Sequence, residues 1–451
     1  MKPNLRVTSI LFAALAAGTL PCPAGAQSAA AEPAPFRLTL KDAIERGLRA
    51  NLRVLVAGTR ISEAEGTSER RRSLLLPRAR LETPIALQTR SLAAQGISAP
   101  GFPEVVGPFS TYDFRFYADQ SLLDLQSYHN WKATERQEGA ARNDLQDARN
   151  LIVRQIAGLY LNAESAAAQV AAAQSRVSTS GVLLKLARDQ HDAGIATGID
   201  VVRAQVRLAT DRQTLVEARN AAQQALLVLA RNIGMSPGTP LELAETLQFH
   251  AAEPPLVAAA LNGALAGRAD YLSLLTQREA LVEQGKASRS RYLPRLGVSG
   301  NYGGTGRSLG DLSGTGAIQA SLALTLYDRD RQGERQEIDS RVQRVDLQIA
   351  DLRLGIEQDI RQALLNLESA TEEVTVARET LDLAQQELAL ARDRFKDGLT
   401  NNIEVVNAQD SLARAQENSI VALTRHADAQ AALALALGNT EKIYEPYLGI
   451  R

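Results

Sequence analysis

The chain contains two copies of one long sequence pattern, 204 positions apart. Leu-Ala-Arg-Asp precedes both Gly194 and Gly398, at residues 186–189 and 390–393. Six more residues recur after the glycines: Ile199, Val201, Val202, Ala204, Gln205 and Leu208 as Ile403, Val405, Val406, Ala408, Gln409 and Leu412. A duplication of this length constrains the whole fold, because each copy should form the same unit. We predict two structural repeats, over 27–240 and 241–440, and a C-terminal tail over 441–451.

The first 26 residues have the pattern of a secretory signal peptide. Lys2 and Arg6 precede an apolar run, and three small residues end at Ala26. That run is shorter than the roughly 20 residues of a membrane-spanning helix. We predict cleavage after Ala26, which would remove Cys22, the one cysteine. A lipid anchor at Cys22 is the alternative, although Pro21 stands where a lipoprotein motif has a small residue.

Charge and composition exclude some classes of protein. Without Lys2 and Arg6, the 50 basic residues fall to 48 against 51 acidic ones, a net charge of −3. Nucleic-acid binding requires a basic excess on one face, so we expect no nucleic-acid partner. Aromatic residues are only 4% of the chain. This favours slender packed helices over a thick globular core, which generally uses large aromatic side chains.

A seven-residue apolar repeat runs through both copies. Apolar residues recur at alternating spacings of four and three, from Ile152 to Val177 and from Ile356 to Phe395. An unbroken repeat of this kind is typical of a coiled-coil seam. No proline interrupts 129–191 or 330–396. We predict two long helices there, each on the order of 100 Å at 1.5 Å per residue.

A glycine turn and a returning helix follow each long helix. Gly194 and Gly398 suit the left-handed position after a helix end. Asp200 and Glu404 lie near the starts of the returning helices, where an acidic residue is favoured. The sequence therefore predicts two antiparallel helical hairpins, with tips near 194 and 398.

Shorter helices are predicted at about 39–73 and 256–291. Each ends before a proline, Pro77 or Pro294, because proline pushes the preceding residue out of helical geometry. We therefore expect a helix-to-strand turn at each of these prolines.

The apolar pattern changes to every second residue after these prolines. Tyr112, Phe114 and Phe116, for example, alternate with Asp113 and Arg115. This predicts four strands with one apolar and one polar face, at about 78–90, 110–123, 295–304 and 316–327. Each approaches the ~10 residues of a tilted membrane strand.

The alternative is a soluble sheet packed on a core. The loops at 91–109 and 306–315 are rich in glycine, serine and proline, and no remaining segment could cover the apolar faces. Membrane strands are therefore favoured. Four strands cannot close a barrel, since the smallest membrane barrels have about eight, and an open edge is costly in hydrocarbon. Several chains must contribute.

The order of these elements resembles the TolC-like outer membrane factor family. The residues that carry the likeness are Leu38-Thr39-Leu40, Asp42-Ala43, Asn51, Leu293-Pro294-Arg295-Leu296, Leu326-Tyr327-Asp328 and the Ala-Gln pairs after the tips. The resemblance covers nearly all of the mature chain. It implies a mainly α fold with a membrane β part, in which a homotrimer gives four strands per chain to a twelve-stranded barrel in outer membrane lipid. A helical tunnel would continue into the periplasm.

The resemblance also implies an aperture at the hairpin tips. In the family, acidic side chains after the second tip glycine line the constriction; Glu404 matches the first position, and Asn407 replaces the second. A ring of Glu404 carboxylates would attract cations. The alternative is a solvent-exposed acid at a helix start. Asp200, with Arg203 as a possible partner, is the candidate in the first copy.

Partners follow from the same resemblance. It implies that the tips at Gly194 and Gly398 dock a periplasmic adaptor protein, which connects the channel to an inner-membrane transporter. Helix termination is the simpler interpretation of the same glycines.

No catalytic constellation is evident, and we expect no enzyme activity, cofactor or metal. The four histidines, His129, His191, His250 and His426, lack metal-ligand spacing, and HExxH, GxSxG and GxxxxGK[ST] motifs are absent. Gly303-Gly304-Thr305-Gly306 connects two strands, which predicts an external turn. The resemblance implies the outer membrane channel of an efflux system. The alternatives are the duct of a type I protein secretion system and, from another class, a periplasmic coiled-coil adaptor or structural rod.

Overall fold

The computed structural model describes residues 36–96, 100–101, 103–246, 248–251, 254–397, 399–400, 402–438 and 440–441. The predicted signal peptide over 1–26, with Cys22, lies outside these ranges. Gly398 and residues 442–451 of the predicted tail also lie outside them.

The described chain is mainly helical, and its elements follow the same order twice. The helices are α1 (Leu40–Ala50), α2 (Leu52–Arg72), α3 (Leu125–Asp192), α4 (Gly198–Asn232), α5 (Val257–Gly267), α6 (Ala269–Ser290), α7 (Asp330–Lys396) and α8 (Asn402–Ala436). The strands are β1 (Phe36–Leu38), β2 (Arg78–Glu82), β3 (Ile85–Ser91), β4 (Val105–Leu123), β5 (Leu241–Leu243), β6 (Arg295–Gly306) and β7 (Ser313–Ala323). In each half, two short helices precede strands, a long helix and a returning helix.

The two long helical hairpins are confirmed. Helices α3 and α7 contain 68 and 67 residues. Helix α3 begins four residues before the predicted position because the Asp124 carboxylate caps it, accepting a hydrogen bond from the Ser127 backbone N–H at 2.9 Å. Helix α7 has the predicted bounds.

The predicted seam of α7 is its buried face against α8. The buried members include Ile356, Ile360, Ala363, Leu367, Ala370, Val374 and Ala377. Burying an Ile or Leu side chain fully stabilises the folded state by ~1.5–3 kcal/mol. The alanines between them allow the helices to approach closely.

Each predicted short helix is divided in two. Asn51 separates α1 from α2 with an extended backbone (φ −70°, ψ 126°), and its side chain accepts the Arg53 N–H at 2.9 Å. Arg268 divides α5 from α6 with nearly the same angles. The prediction of one continuous helix in each place was therefore wrong. Asn51 is a good N-cap, so a second helix starts immediately after it.

Strands β2, β4, β6 and β7 form one antiparallel sheet, and β3 also pairs with β4. The first predicted strand is two strands, interrupted at Thr83 and Pro84. Proline lacks the N–H needed by a ladder and is confined to sheet edges, and β2 and β3 form such an edge. The last strand ends at Ala323 rather than near Tyr327.

The register gives the sheet one apolar and one polar face. Leu81 pairs with Phe116, and Phe116 pairs with Tyr302. Ile318 on the same face is 89% exposed, and Leu322 is 71% exposed. No described helix is both long enough and apolar enough to span a membrane.

The predicted external turn at Gly303-Gly304-Thr305-Gly306 is wrong, because these residues lie within β6. Gly303 pairs with Arg115 on one side and Thr315 on the other. A Cβ atom at Gly303 would lie 2.1 Å from the Phe114 carbonyl oxygen. The glycine is required by close approach of two strands rather than by a turn.

A short parallel pair, β1 with β5, joins the beginnings of the two repeats, and sequence analysis missed it. Phe36 pairs with Leu241, and Leu38 with Leu243. The Tyr160 hydroxyl of α3 donates to the Leu38 carbonyl oxygen at 3.0 Å. At the other end, the Glu441 carboxylate accepts a hydrogen bond from the Arg149 Nε at 2.9 Å, so the predicted tail begins against α3.

Candidate functional site at the hairpin tips

The first tip is a glycine turn between α3 and α4. Gly194 has a φ of +73°, the left-handed conformation predicted for it. Its N–H donates to the His191 carbonyl at 2.9 Å, and the Ile195 N–H donates to the Gln190 carbonyl at 2.9 Å. These bonds satisfy the last carbonyl groups of α3.

Asp200 holds the start of α4. Its Oδ2 accepts from the Thr197 backbone N–H at 3.1 Å and from the Thr197 hydroxyl at 2.5 Å. Arg203 Nη1 lies 3.7 Å from Asp200 Oδ1. Asp200 is buried, whereas Arg203 is exposed. Together Thr197 and Asp200 form a capping box, which explains an acidic residue at this position without any channel role.

Glu404 connects the two sides of the second tip. Its Oε1 lies 3.0 Å from Arg394 Nη1 near the end of α7, and the Thr400 hydroxyl donates to its Oε2. The Glu404 side chain is 38% exposed. Its carboxylate is therefore ion-paired but still reached by water. Asn407 lies three residues later on α8 and is exposed, which places it next to Glu404 on one helix face.

Sequence analysis did not identify Arg394 as a partner of Glu404. The first copy has Gln190 at the corresponding position, so a break in the repeat marks this residue. Gln190 makes a different contact: its Nε2 donates to the Phe395 carbonyl at 2.8 Å, which joins the end of α3 to the end of α7. The two tips are thus in contact.

A buried ionic cluster lies deeper in the hairpins, and sequence analysis also missed it. Arg207 Nε on α4 lies 3.1 Å from Asp211 Oδ2, and Arg207 Nη1 bonds to Asp410 on α8. The Ser180 hydroxyl of α3 donates to Asp211, and Gln409 Nε2 lies 3.4 Å from Ser180 Oγ. The cluster therefore links α3, α4 and α8.

The charges of this cluster stabilise one another. Burial acts to lower the pKa of the Arg207 guanidinium, but hydrogen bonds and charges from Asp410 and Asp211 outweigh it and raise the pKa. The Asp211 side chain is only 5% exposed. The second copy has Ser411 and Ala415 where the first has Arg207 and Asp211, so here too a break in the repeat is the available signal.

His129 and His191 each lie beside an acidic side chain, whereas burial, and then the charge of nearby His250, lowers the pKa of His426. His129 Nδ1 is 2.8 Å from Glu283, His191 Nδ1 is 3.6 Å from Asp192, and the His426 ring packs on Phe249. The described part of the chain contains no group of three His, Cys, Asp or Glu side chains arranged to hold a metal ion.

The sequence matches the family described as outer membrane efflux protein over residues 43–235 and 260–439. The outer membrane efflux protein BepC of Brucella suis is 25% identical over 310 residues, which cover 66% of each chain. The alkaline protease secretion protein AprF of Pseudomonas aeruginosa is 22% identical over 324 residues, which cover 67% of this chain and 65% of AprF. The chain spans just under two thirds of the length of these relatives.

Solved structures show the same fold. The Campylobacter jejuni CmeC outer membrane channel superposes with a TM-score of 0.77 at 15% identity, covering 91% of this chain and 90% of CmeC. The fold predicted from the resemblance, mainly α with duplicated hairpins and a β part, is confirmed. Because the family match spans both repeats and most of the chain, this chain belongs to the outer membrane efflux protein family.

Proposed function

We propose that this chain forms the outer membrane channel of a tripartite efflux system, a passive exit duct that spans the outer membrane and the periplasm. Family membership and the fold support this function. The single observation that carries it is the sheet, whose exposed apolar face lies opposite a polar one. Ile318 and Leu322 face outward on that apolar side, while the polar side contains Arg80, which lies 3.2 Å from Asp119.

The functional unit is a homotrimer. One edge of the sheet is formed by β2 and β3, and the other edge is formed by β7. Neither edge has a further strand partner among the described residues. Unpaired backbone groups cost several kcal/mol each in hydrocarbon. Because β2 and β3 lie end to end along β4, each chain is four strands wide. Three copies therefore supply twelve strands and remove both edges.

A second apolar stripe on α7 supports the same assembly. Its members are between 58% and 68% exposed: Leu347, Leu354, Leu365, Val376, Leu383 and Leu390. Their spacings are 7 or 11 residues, and both spacings return to one face of a helix. This stripe is distinct from the seam against α8. A neighbouring chain in the trimer would cover it.

At the closed end of the tunnel, Glu404 from each chain contributes to a ring of carboxylates. Arg394 compensates part of that charge, and Asn407 adds none. We therefore propose a modest cation preference. Asp200 is a weaker aperture candidate because it caps α4 together with Thr197. The tips around Gly194 and Gly398 are the proposed docking surface for a periplasmic adaptor, which would connect the duct to an inner-membrane transporter.

A type I secretion duct is the second candidate, supported by the similarity to AprF, which is named as a protease secretion protein. A periplasmic adaptor or structural rod does not explain the exposed apolar face of the sheet, because such a face is unfavourable in water. Planar-bilayer conductance tests the duct. Purified mature protein should insert into the bilayer and increase the current in discrete steps of uniform size. No current above that of the protein-free bilayer would contradict the proposal.

A further inference from the structure

A cavity of about 370 Å³ lies between α3 and α4 of the first repeat and the segment that begins with β5, at the start of the second. Its walls are largely apolar. They include Ala163, Ala167 and Ala171 of α3, Ala222 and Leu226 of α4, and Leu243 of β5. Its volume is within the range of small-molecule sites, roughly 300–1,000 Å³.

The Glu164 side chain lines this apolar cavity. Glu164 is only 7% exposed, and no described residue donates a hydrogen bond to its carboxyl group. Placing an acid in mostly apolar surroundings beside a second acid is unfavourable unless a proton or a cation compensates its charge. The fold therefore keeps an acid in a position where packing alone would favour alanine or leucine.

A second carboxylate, Glu245, lines the same cavity but is anchored. Its Oε2 accepts the Leu40 backbone N–H at 3.0 Å, at the start of α1. A helix N-terminus stabilises negative charge. Glu242 and Glu245 are the other charged residues of the described lining, and it contains no Lys, Arg or His. Burial, and then the charge of Glu245, raises the pKa of Glu164 to about 7.

The second copy places the matching acid differently. Asn162-Ala163-Glu164-Ser165-Ala166 recurs as Asn366-Leu367-Glu368-Ser369-Ala370. Leu367 is buried at the position of Ala163, and Glu368 is exposed. The first copy therefore has a smaller side chain where the second has leucine, and its matching acid is buried rather than exposed.

We propose that this cavity binds an organic cation, with a primary or secondary ammonium group between Glu164 and Glu245 and an apolar body against the alanine walls. Glu164 lies 28 residues before the end of α3, or ~40 Å from the tip at 1.5 Å per residue. The site is separate from the aperture, and binding there does not require conduction.

Titration calorimetry on the mature protein in lipid nanodiscs tests the proposal, with 1-adamantylammonium as the probe and empty nanodiscs as the blank. We expect one site per chain. Glu164→Gln should weaken binding at least tenfold, because the amide keeps the shape and removes the charge. The matched control, Glu368→Gln, should bind like the wild type, and neutral 1-adamantanol should bind at least tenfold more weakly than the cation.

Two further measurements separate the site from nonspecific binding. Ala167 is an exposed residue of the cavity lining. Ala167→Leu should abolish binding because the larger side chain fills part of the cavity, while the charges stay unchanged. Wild-type affinity should fall about tenfold between pH 8 and pH 6 as Glu164 becomes protonated, while the affinity of Glu164→Gln stays flat over that range. Absence of wild-type binding, or equal binding by wild type and Glu164→Gln, would overturn the proposal.

Discussion

Arg207 on α4 is ion-paired with Asp410 on α8, although the two residues are 203 positions apart in the sequence. The pair joins the returning helix of one repeat to that of the other. Arg207 also contacts Asp211, so one guanidinium compensates two carboxylates. Arg207 is therefore one of the contacts that fix the relative position of the two hairpins, together with the hydrogen bond from Gln190 to the Phe395 carbonyl.

Arg207→Met should destabilise the hairpins by ~3–5 kcal/mol, because it leaves the buried Asp211 without its cation. Asp410→Asn should cost about 0–1 kcal/mol, since the Asp410 side chain is 40% exposed and water replaces part of the interaction. Thermal unfolding of the purified protein, followed by circular dichroism, measures both. Equal losses for the two variants would show that the buried partner has no special weight.

Gly194→Ala should destabilise the first tip by ~1–2 kcal/mol, because an alanine is strained at a φ of +73°. Gly181→Ala is the matched control. It lies inside α3 with open space around its Cβ position, so it should stabilise the helix by up to ~1 kcal/mol. Hydrogen exchange at the amides of each site reports the change. The idea fails if both substitutions shift protection in the same direction.

Gly303→Ala should impair assembly of the sheet, because its Cβ atom would collide with backbone atoms of β4. Gly300→Ala, in the same strand, has its nearest neighbour at 3.7 Å and should assemble normally. The yield of oligomer that resists dissociation in mild detergent is the measurement. Normal yield from Gly303→Ala would contradict the observed pairing of β6 with β4.

Ion selectivity should follow the charge at the second tip. Glu404→Gln should reduce cation preference, Arg394→Gln should increase it by removing the paired cation, and Asn407→Asp should increase it by adding a carboxylate. Reversal potentials in a salt gradient across a planar bilayer measure these changes. Unaltered reversal potentials in all three variants would remove Glu404 from the aperture while leaving the duct in place.

The sequence predicts the long helices well because their apolar repeat is long and contains no proline. In α7, for example, this repeat begins at Ile356 and Ile360. The sheet is predicted less completely. The alternating pattern continues through Pro84 and so predicts one strand, whereas the proline divides it into two. Strands β1 and β5 have three residues each, which is too short to show a period. Asn51 and Arg268 divide helices whose composition alone favours continuity.

The candidate site is harder to predict because its partners come from distant parts of the chain. Glu404 and Asp200 were found as helix-start acids, but their contacts with Arg394 and Thr197 depend on how each tip turns. Arg207, Asp211 and Asp410 have the composition of ordinary surface residues. Only their departure from the repeat distinguishes them, and comparison of the two copies would have detected it.

The central claim is that the apolar face of the sheet contacts lipid in a closed assembly, while the opposite face contacts water. Ile318 and Gln319 are adjacent in β7 and face opposite sides. Single cysteines at these positions, in mature protein reconstituted in lipid, can be labelled with a charged, water-soluble maleimide. The cysteine at 319 should react quickly and the cysteine at 318 at least tenfold more slowly. Equal, rapid labelling at both positions would contradict the membrane assignment.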